Sequence, residues 1–134
     1  LEADSNKKSI SRVLILSGTG SCCFGKSING STSKLGGWGH ILGDKSSGYE
    51  IGLRALKACV FYLDRDGTWS TLGQQILCRL QLNSPDQLID WVAKANKPEI
   101  ASLAKDVFAA WHKRDKIAID IIMFSKQSFC CFLL

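Results

Sequence analysis

The sequence has few of the features that mark metal-binding or disulfide-stabilised proteins. It contains 6 cysteines and 2 histidines. No C-x-x-C pair occurs and no histidine stands at a ligand spacing, so a metal site is not expected. Four of the cysteines form adjacent pairs, Cys22-Cys23 and Cys130-Cys131, which does not resemble a disulfide framework. We therefore expect reduced thiols and a cytoplasmic protein.

A secretory leader and a long apolar run are also lacking. Residues 1–12 form a polar leader that does not start with methionine and cannot be a signal peptide, so we expect a fragment. The apolar end of the sequence is too short to span a bilayer, and no membrane partner is expected. Residues 131–134 fit a prenylation box, but an atypical end of a longer gene, over residues 125–134, is the preferred interpretation.

Charge and size set further limits. The net charge of +5 comes from scattered basic residues without interleaved aromatic side chains, so we expect no nucleic-acid partner. With 134 residues, 46% of them hydrophobic, the chain can form one domain with a core but not two. We predict a single domain over residues 1–134.

Glycine, in contrast, is concentrated in one part of the chain. Most of the 12 glycines lie between residues 17 and 52, in clusters that also carry hydroxyl groups, an indole and a carboxylate. Dense glycine indicates backbone that turns sharply or approaches a ligand closely. This stretch predicts a site for a polar, phosphate-bearing ligand.

The remaining pattern predicts an α/β fold. Residues 13–16 are typical of a buried strand, and Asn29-Gly30 predicts a hairpin between residues 21–26 and 31–35. Ser47 and Glu50 form a capping box that opens a helix. The predicted fold class is α/β, a strand plus a β-hairpin followed by four or five helices.

The helices are predicted from apolar residues at helical spacing. The first ends at Asp66-Gly67, a later one opens at Ser84 with Pro85 in its first turn, and another is entered at Asn96. The apolar stripes, in chain order, are Tyr49, Leu53, Leu56, Val60 and Leu63; Leu72, Ile76 and Leu80; Ile100, Leu103, Val107 and Trp111; and Ile117, Ile121 and Phe124.

A P-loop motif is present in the letters of the sequence but not in its context. Residues 20–27 fit G-x-x-x-x-G-K-[ST], and a working P-loop must follow a strand and open a helix. No helical periodicity follows Lys26, and Asn29-Gly30 favours a hairpin. We predict that Lys26 does not bind phosphate.

Two clusters remain as a candidate site. Gly18, Thr19, Gly20 and Ser21 follow the strand and can form a concavity of amides and hydroxyls for phosphate oxygens, although such a turn can also be an ordinary hairpin. Gly37, Trp38 and Gly39 can offer an indole face to a sugar, or place a core tryptophan in a turn. Asp44 can accept hydrogen bonds from two sugar hydroxyls, or favour a helix N-terminus. His40 is interpreted as a packed histidine.

The order of these residues resembles a known family. S-G-T-G-S, a hairpin with Asn-Gly, and G-G-W-G-H-x-L-G-D-x-x-S-G-Y-x-I-G are similar to N-acetylglucosamine kinases and to the ATPases that activate benzoyl-CoA reductase and hydroxyacyl-CoA dehydratases. The resemblance covers residues 13–56. It implies a ribonuclease-H-like kinase fold in which this chain is part of the C-terminal lobe of a sugar kinase, with ATP and Mg²⁺ in the cleft between the lobes.

The resemblance also implies roles for individual residues. Thr19 contacts nucleotide phosphate, with Gly18 and Gly20 shaping the turn. The amino-sugar pocket is lined by Ser21, Cys22, Gly37, Trp38, Gly39 and Asp44. The implied partners are ATP and an amino sugar phosphorylated on its 6-hydroxyl, with a homodimer possible for the whole protein.

The chain departs from the family pattern at several points. Cys22 stands where the kinases often have asparagine, and Lys45-Ser46 replaces Glu-Gly. The first phosphate motif, the catalytic aspartate and the adenosine motif are not visible, so no catalytic residue is assigned and we expect this chain alone to have negligible kinase activity. An ATPase activator of a CoA-linked reductase or dehydratase, and a non-catalytic sugar-binding remnant, remain as alternatives.

Overall fold

A computed structural model describes residues 10–130, with the side chains of residues 10–128. Three strands come first: β1 (Arg12–Ser17), β2 (Ser21–Lys26) and β3 (Thr32–Gly36). They form an antiparallel sheet in the order β1-β2-β3, with Ser17 opposite Ser21. The α/β fold class predicted from the sequence is confirmed. Within the described residues the chain has seven helices, where four or five were predicted.

The predicted hairpin is also confirmed. Gly30 has a φ of 86°, and the Ser27 amide donates to the Ser31 carbonyl at 2.9 Å to close the loop between β2 and β3. A φ of this sign is accessible to glycine at little steric cost. Lys26 is therefore the last residue of a strand, and residues 20–27 do not form a P-loop.

The prediction that residues 13–16 are buried is wrong. All six residues of β1 are exposed, and Val13 retains 64% of its accessible surface. The buried apolar cluster of the described residues is built by helices, so neither face of the sheet is covered within residues 10–130. An apolar run predicts that a strand prefers burial, but burial itself depends on what packs against it.

Seven helices follow within the described residues. They are α1 (Gly39–Leu42), α2 (Gly48–Asp66), α3 (Thr71–Leu80), α4 (Gln87–Lys94), α5 (Lys97–Ser102), α6 (Ala104–His112) and α7 (Lys116–Cys130). The short α1 carries too few residues to show a periodic pattern. The helix predicted from Ile100 to Trp111 is two helices, because the Leu103 amide bonds to the Ile100 carbonyl in a tighter turn.

The predicted helix ends are confirmed in part. The Ser47 hydroxyl accepts from the Glu50 amide at 3.2 Å and begins α2, and Gly67 ends it with a φ of 66°. Ser84 does not cap α4, which begins at Gln87 after a turn. Asn96 caps α5 through a complete capping box.

The core lies between α2, α3, α4, α6 and α7, and Ile100 of α5 is buried beside it. On α2 Leu56 is buried as predicted, but Val60 of the predicted stripe is 41% exposed. The other buried apolar residues of α2, Ile51, Ala55 and Cys59, were not in that stripe. Gly52 lies directly under α5, where a Cβ atom would overlap the Ile100 carbonyl oxygen. This close crossing fixes the start of α5 beside the start of α2, and so beside the glycine-rich segment.

Candidate functional site

Residues 18–20, here called the glycine turn, join β1 to β2 and rest on the start of α2. The Gly18 and Thr19 carbonyls accept hydrogen bonds from the Gly48 and Tyr49 amides at 2.7 and 3.4 Å. The Gly18 amide donates to the Gly20 carbonyl at 2.9 Å. Within residues 10–130 the Thr19 and Gly20 amides form no hydrogen bond, so two consecutive donors are left for an oxygen-rich ligand.

Asp44 lies against the glycine turn. Its carboxylate accepts from the Ser21 amide at 2.9 Å and from Lys97 Nζ at 2.5 Å, and the residue is only 4% exposed. A Cβ atom on Gly20 would lie 2.8 Å from Asp44 Oδ1. The absence of a side chain at position 20 therefore allows the carboxylate to reach the turn.

The surroundings of Asp44 favour its charged form. Burial removes water from the carboxylate and by itself raises its pKa. Hydrogen bonds from Lys97 and the Ser21 amide, together with the positive charge of Lys97 and the proximity of His40, outweigh burial and lower the pKa of Asp44. The site thus holds a fixed negative charge at neutral pH.

The segment after Asp44 is fastened to the sheet and to α7. Ser21 Oγ donates to the Lys45 carbonyl at 2.6 Å, and Ser17 Oγ donates to the Ser46 carbonyl at 3.1 Å. Ser46 has a φ of 62° and its hydroxyl donates to the Ser125 carbonyl at 2.5 Å. The left-handed backbone explains why glycine suits this position in the family pattern.

Asp44 lines one side of a pocket of about 280 Å³ that lies between α1 and the first half of α2. His40 and Tyr49 pack edge to face there, with ring centroids 5.0 Å apart. His40 is otherwise exposed, so the predicted packing of this histidine is limited to that ring contact. Glu50 pairs with Arg54 at 2.9 Å. The remaining lining residues are Ile41, Leu42, Gly43, Lys45, Leu53 and Lys57.

The structure brings most of the predicted site residues together around Ser21. The Gly37 amide donates to the Ser21 carbonyl at 3.2 Å, and a Cβ atom on Gly37 would contact Cys22 Cβ at 3.6 Å. Gly37 and Gly39 have φ values of 73° and 77°, as turns built on glycine require. Glycine at these positions is therefore explained by backbone conformation.

Of the residues predicted to line the amino-sugar pocket, only Asp44 lines the pocket between α1 and α2; Ser21, Cys22, Gly37, Trp38 and Gly39 do not. Trp38 is also 73% exposed. The alternative of a core tryptophan is wrong, because the side chain projects from the surface at the start of α1. An exposed indole at this place is available to contact a molecule outside the described residues.

Lys97 is a site residue that the sequence interpretation missed. It is the first residue of α5 and lies 53 positions from Asp44 in the sequence. The available signal was its charge, because a basic residue at a helix N-terminus is electrostatically unfavourable. Such a local conflict often marks a residue with another role.

Two further observations limit the chemistry of the described residues. No group of three or more histidine, cysteine, aspartate or glutamate residues is arranged to hold a metal ion within residues 10–130. Over the same range, no helix has the length and hydropathy needed to cross a membrane.

Several known proteins are similar to this chain. An N-acetylmuramic acid/N-acetylglucosamine kinase of Clostridium acetobutylicum is 40% identical over 112 residues, covering 82% of this chain and 37% of that protein. An N-acetyl-D-glucosamine kinase of Dictyostelium discoideum is 39% identical over 79 residues, covering 59% of this chain and 25% of that protein. The chain thus spans little more than a third, or less, of these relatives.

Solved structures share the fold. A candidate N-acetylglucosamine kinase from Chromobacterium violaceum superposes with a TM-score of 0.78 at 25% identity, over 90% of this chain and 42% of that one. A second candidate kinase of this type, from Porphyromonas gingivalis, superposes with a TM-score of 0.62 at 22% identity, over 93% of this chain and 41% of that one. Residues 4–128 match the sequence pattern of one ATPase family. The chain belongs to the BadF/BadG/BcrA/BcrD ATPase family.

Proposed function

We propose that this chain is part of an ATP-dependent N-acetylglucosamine kinase that phosphorylates the 6-hydroxyl of the sugar. The observation that carries the proposal is the buried, charged Asp44 carboxylate, held beside two amides with no hydrogen-bond partner within residues 10–130. The names of the relatives support the same reaction class. Phosphoryl transfer needs this combination of phosphate donors and an oriented sugar hydroxyl.

The two halves of the site take different parts of the reaction. Thr19, with Gly18 and Gly20, binds nucleotide phosphate through the amides of the glycine turn. Asp44 receives the sugar: a carboxylate can accept about four hydrogen bonds, and the Ser21 amide and Lys97 use two. The remaining sugar contacts are assigned to Ser21, Cys22, Gly37, Trp38 and Gly39.

ATP is accompanied by Mg²⁺ in this proposal. We assign the catalytic base and most of the Mg²⁺ contacts to parts of the kinase outside this chain, because the first phosphate motif and the catalytic aspartate that the family resemblance implies are not visible in this sequence. Consistent with this division, we place the chain in the C-terminal lobe of the kinase. The whole protein is proposed to act in the cytoplasm, as a homodimer.

Binding of N-acetylglucosamine to the purified chain, measured by isothermal titration, tests the assignment of Asp44. We expect Asp44→Asn to weaken binding by about 10- to 100-fold, because a charge-assisted hydrogen bond contributes roughly 1.5–3 kcal/mol. Asp106→Asn is the matched control, since Asp106 is also a buried, ion-paired carboxylate. Equal affinity of the wild type and Asp44→Asn contradicts the assignment.

A turnover assay tests whether this chain is one part of the kinase or a complete enzyme by itself. We expect no measurable ADP formation from ATP and N-acetylglucosamine with the 134 residues, because the base and most of the metal site are assigned elsewhere. Efficient turnover by this chain would show that the division of the site is wrong.

A further inference from the structure

We propose that Lys97 is a positioning residue that holds the Asp44 carboxylate in the orientation used by the sugar. Its consequence for the sugar rests on the function proposed above, but the contact itself does not. Lys97 Nζ lies 2.5 Å from Asp44 Oδ2, while the Ser21 amide donates to Oδ1. One partner on each oxygen fixes both the rotation and the tilt of the carboxylate.

The position of Lys97 is itself fixed by its own helix. Asn96 caps α5 with a complete capping box, and α5 is pressed against α2 where Gly52 approaches the Ile100 carbonyl. The lysine side chain is 30% exposed, whereas that of Asp44 is 6% exposed. The Lys97–Asp44 pair therefore joins a lysine on a fixed helix start to a buried carboxylate. It differs from a surface ion pair, in which both side chains are flexible and solvated.

The local electrostatics support a role for this lysine beyond helix formation. At the first residue of a helix, a positive charge faces the positive end of the backbone dipoles. The other charged or titratable groups around the Asp44 pocket are His40, Lys45, Tyr49, Glu50, Arg54 and Lys57. None of them forms an ion pair with Asp44 within residues 10–130, whereas Lys97 from α5 does.

Loss of Lys97 would leave the carboxylate with the Ser21 amide alone. A buried carboxylate with one partner removed takes up a proton more readily and rotates more freely. A protonated Asp44 would present one donor and lose acceptor capacity toward the sugar hydroxyls. Lys97 thus affects how tightly the pocket binds the sugar without itself contacting the sugar.

The test compares three variants of the full chain by NMR and by sugar titration. Lys97→Met removes the charge, Lys97→Arg retains it, and Arg79→Met breaks the remote Arg79–Asp106 ion pair as a matched control. We expect Lys97→Met to raise the pH midpoint of the Asp44 carboxyl carbon, move the Ser21 amide resonance and weaken N-acetylglucosamine binding about tenfold. Lys97→Arg should restore these readouts in large part, and Arg79→Met should leave them unchanged.

The outcomes separate the two proposals. An unchanged Asp44 midpoint and Ser21 resonance in Lys97→Met overturns the positioning role. If the wild type does not bind N-acetylglucosamine but Lys97→Met still raises the Asp44 midpoint, the positioning role stands and the sugar assignment is wrong. If Lys97→Met does not fold, the wild type provides the test. Its Ser21 amide and Lys97 side-chain resonances must then shift with pH at the same midpoint as the Asp44 carboxyl carbon, and different midpoints overturn the proposal.

Discussion

Substitution of Gly20 by alanine is the sharpest test of the site geometry. The φ angle of Gly20 lies outside the left-handed region, so alanine introduces no backbone strain at that angle. Its Cβ atom would instead lie 2.8 Å from Asp44 Oδ1 and 3.0 Å from both Asp44 Cγ and Oδ2. An ordinary contact begins near 3.4 Å, and the carboxylate must therefore move away from the turn.

The cost of this movement follows from the bonds that oppose it. Asp44 has a short side chain, and its two oxygens are bound to the Ser21 amide at 2.9 Å and to Lys97 Nζ at 2.5 Å. A hydrogen bond to a charged group contributes roughly 1.5–3 kcal/mol. We expect Gly20→Ala to lower the free energy of unfolding by about 2–4 kcal/mol, the range between losing one bond and weakening both.

Gly18→Ala is the matched control, measured with Gly20→Ala by urea denaturation. No atom of the described residues lies within 4 Å of a Cβ at Gly18, and its φ is also outside the left-handed region. Alanine there should be neutral or stabilise the chain by up to about 1 kcal/mol, because it restricts the unfolded state. Similar free energies for the two variants would refute the close approach of Asp44 to the turn.

Three further predictions concern positions around the site. Ser46→Ala should lower the free energy of unfolding by about 1 kcal/mol, because it loses the hydrogen bond to the Ser125 carbonyl. Ser46→Gly should be about 1 kcal/mol more stable than Ser46→Ala, because only glycine relieves the left-handed φ of 62°; equal stabilities of the two variants in urea would contradict this. Gly52→Ala should cost about 3 kcal/mol in the same assay, because its Cβ meets the Ile100 carbonyl, a backbone atom that cannot rotate away. Because the pKa of Asp44 is lowered in the folded chain, Asp44 stabilises the fold at pH values above its ordinary pKa of 3.8, and this stabilisation is lost as the pH falls through the folded-state pKa. Asp44→Asn should therefore lose less stability on acidification than the wild type. Parallel curves of unfolding free energy against pH for the two proteins would contradict this.

Local sequence patterns predicted the hairpin and most helices because these depend on neighbouring residues. Asn29-Gly30 needs only a positive φ to reverse the chain, and Ser47 needs only the Glu50 amide to begin α2. The same reasoning failed where packing intervenes. Whether residues 13–16 are buried depends on a covering layer, and the buried face of α2 depends on which side α5 and α6 approach.

The sequence by itself determined that a strand and a hairpin precede a run of helices, that residues 20–27 do not form a P-loop, and where the two glycine clusters lie. These follow from backbone conformations that each residue type allows over a few positions. Only the tertiary structure decided that Asp44 meets Gly20, Ser21 and Lys97, and that Asp44 is the one predicted sugar residue lining the pocket between α1 and α2. The reason is distance along the chain: the 53 positions from Asp44 to Lys97 are closed by the packing of α5 on α2, and no local periodicity encodes that contact.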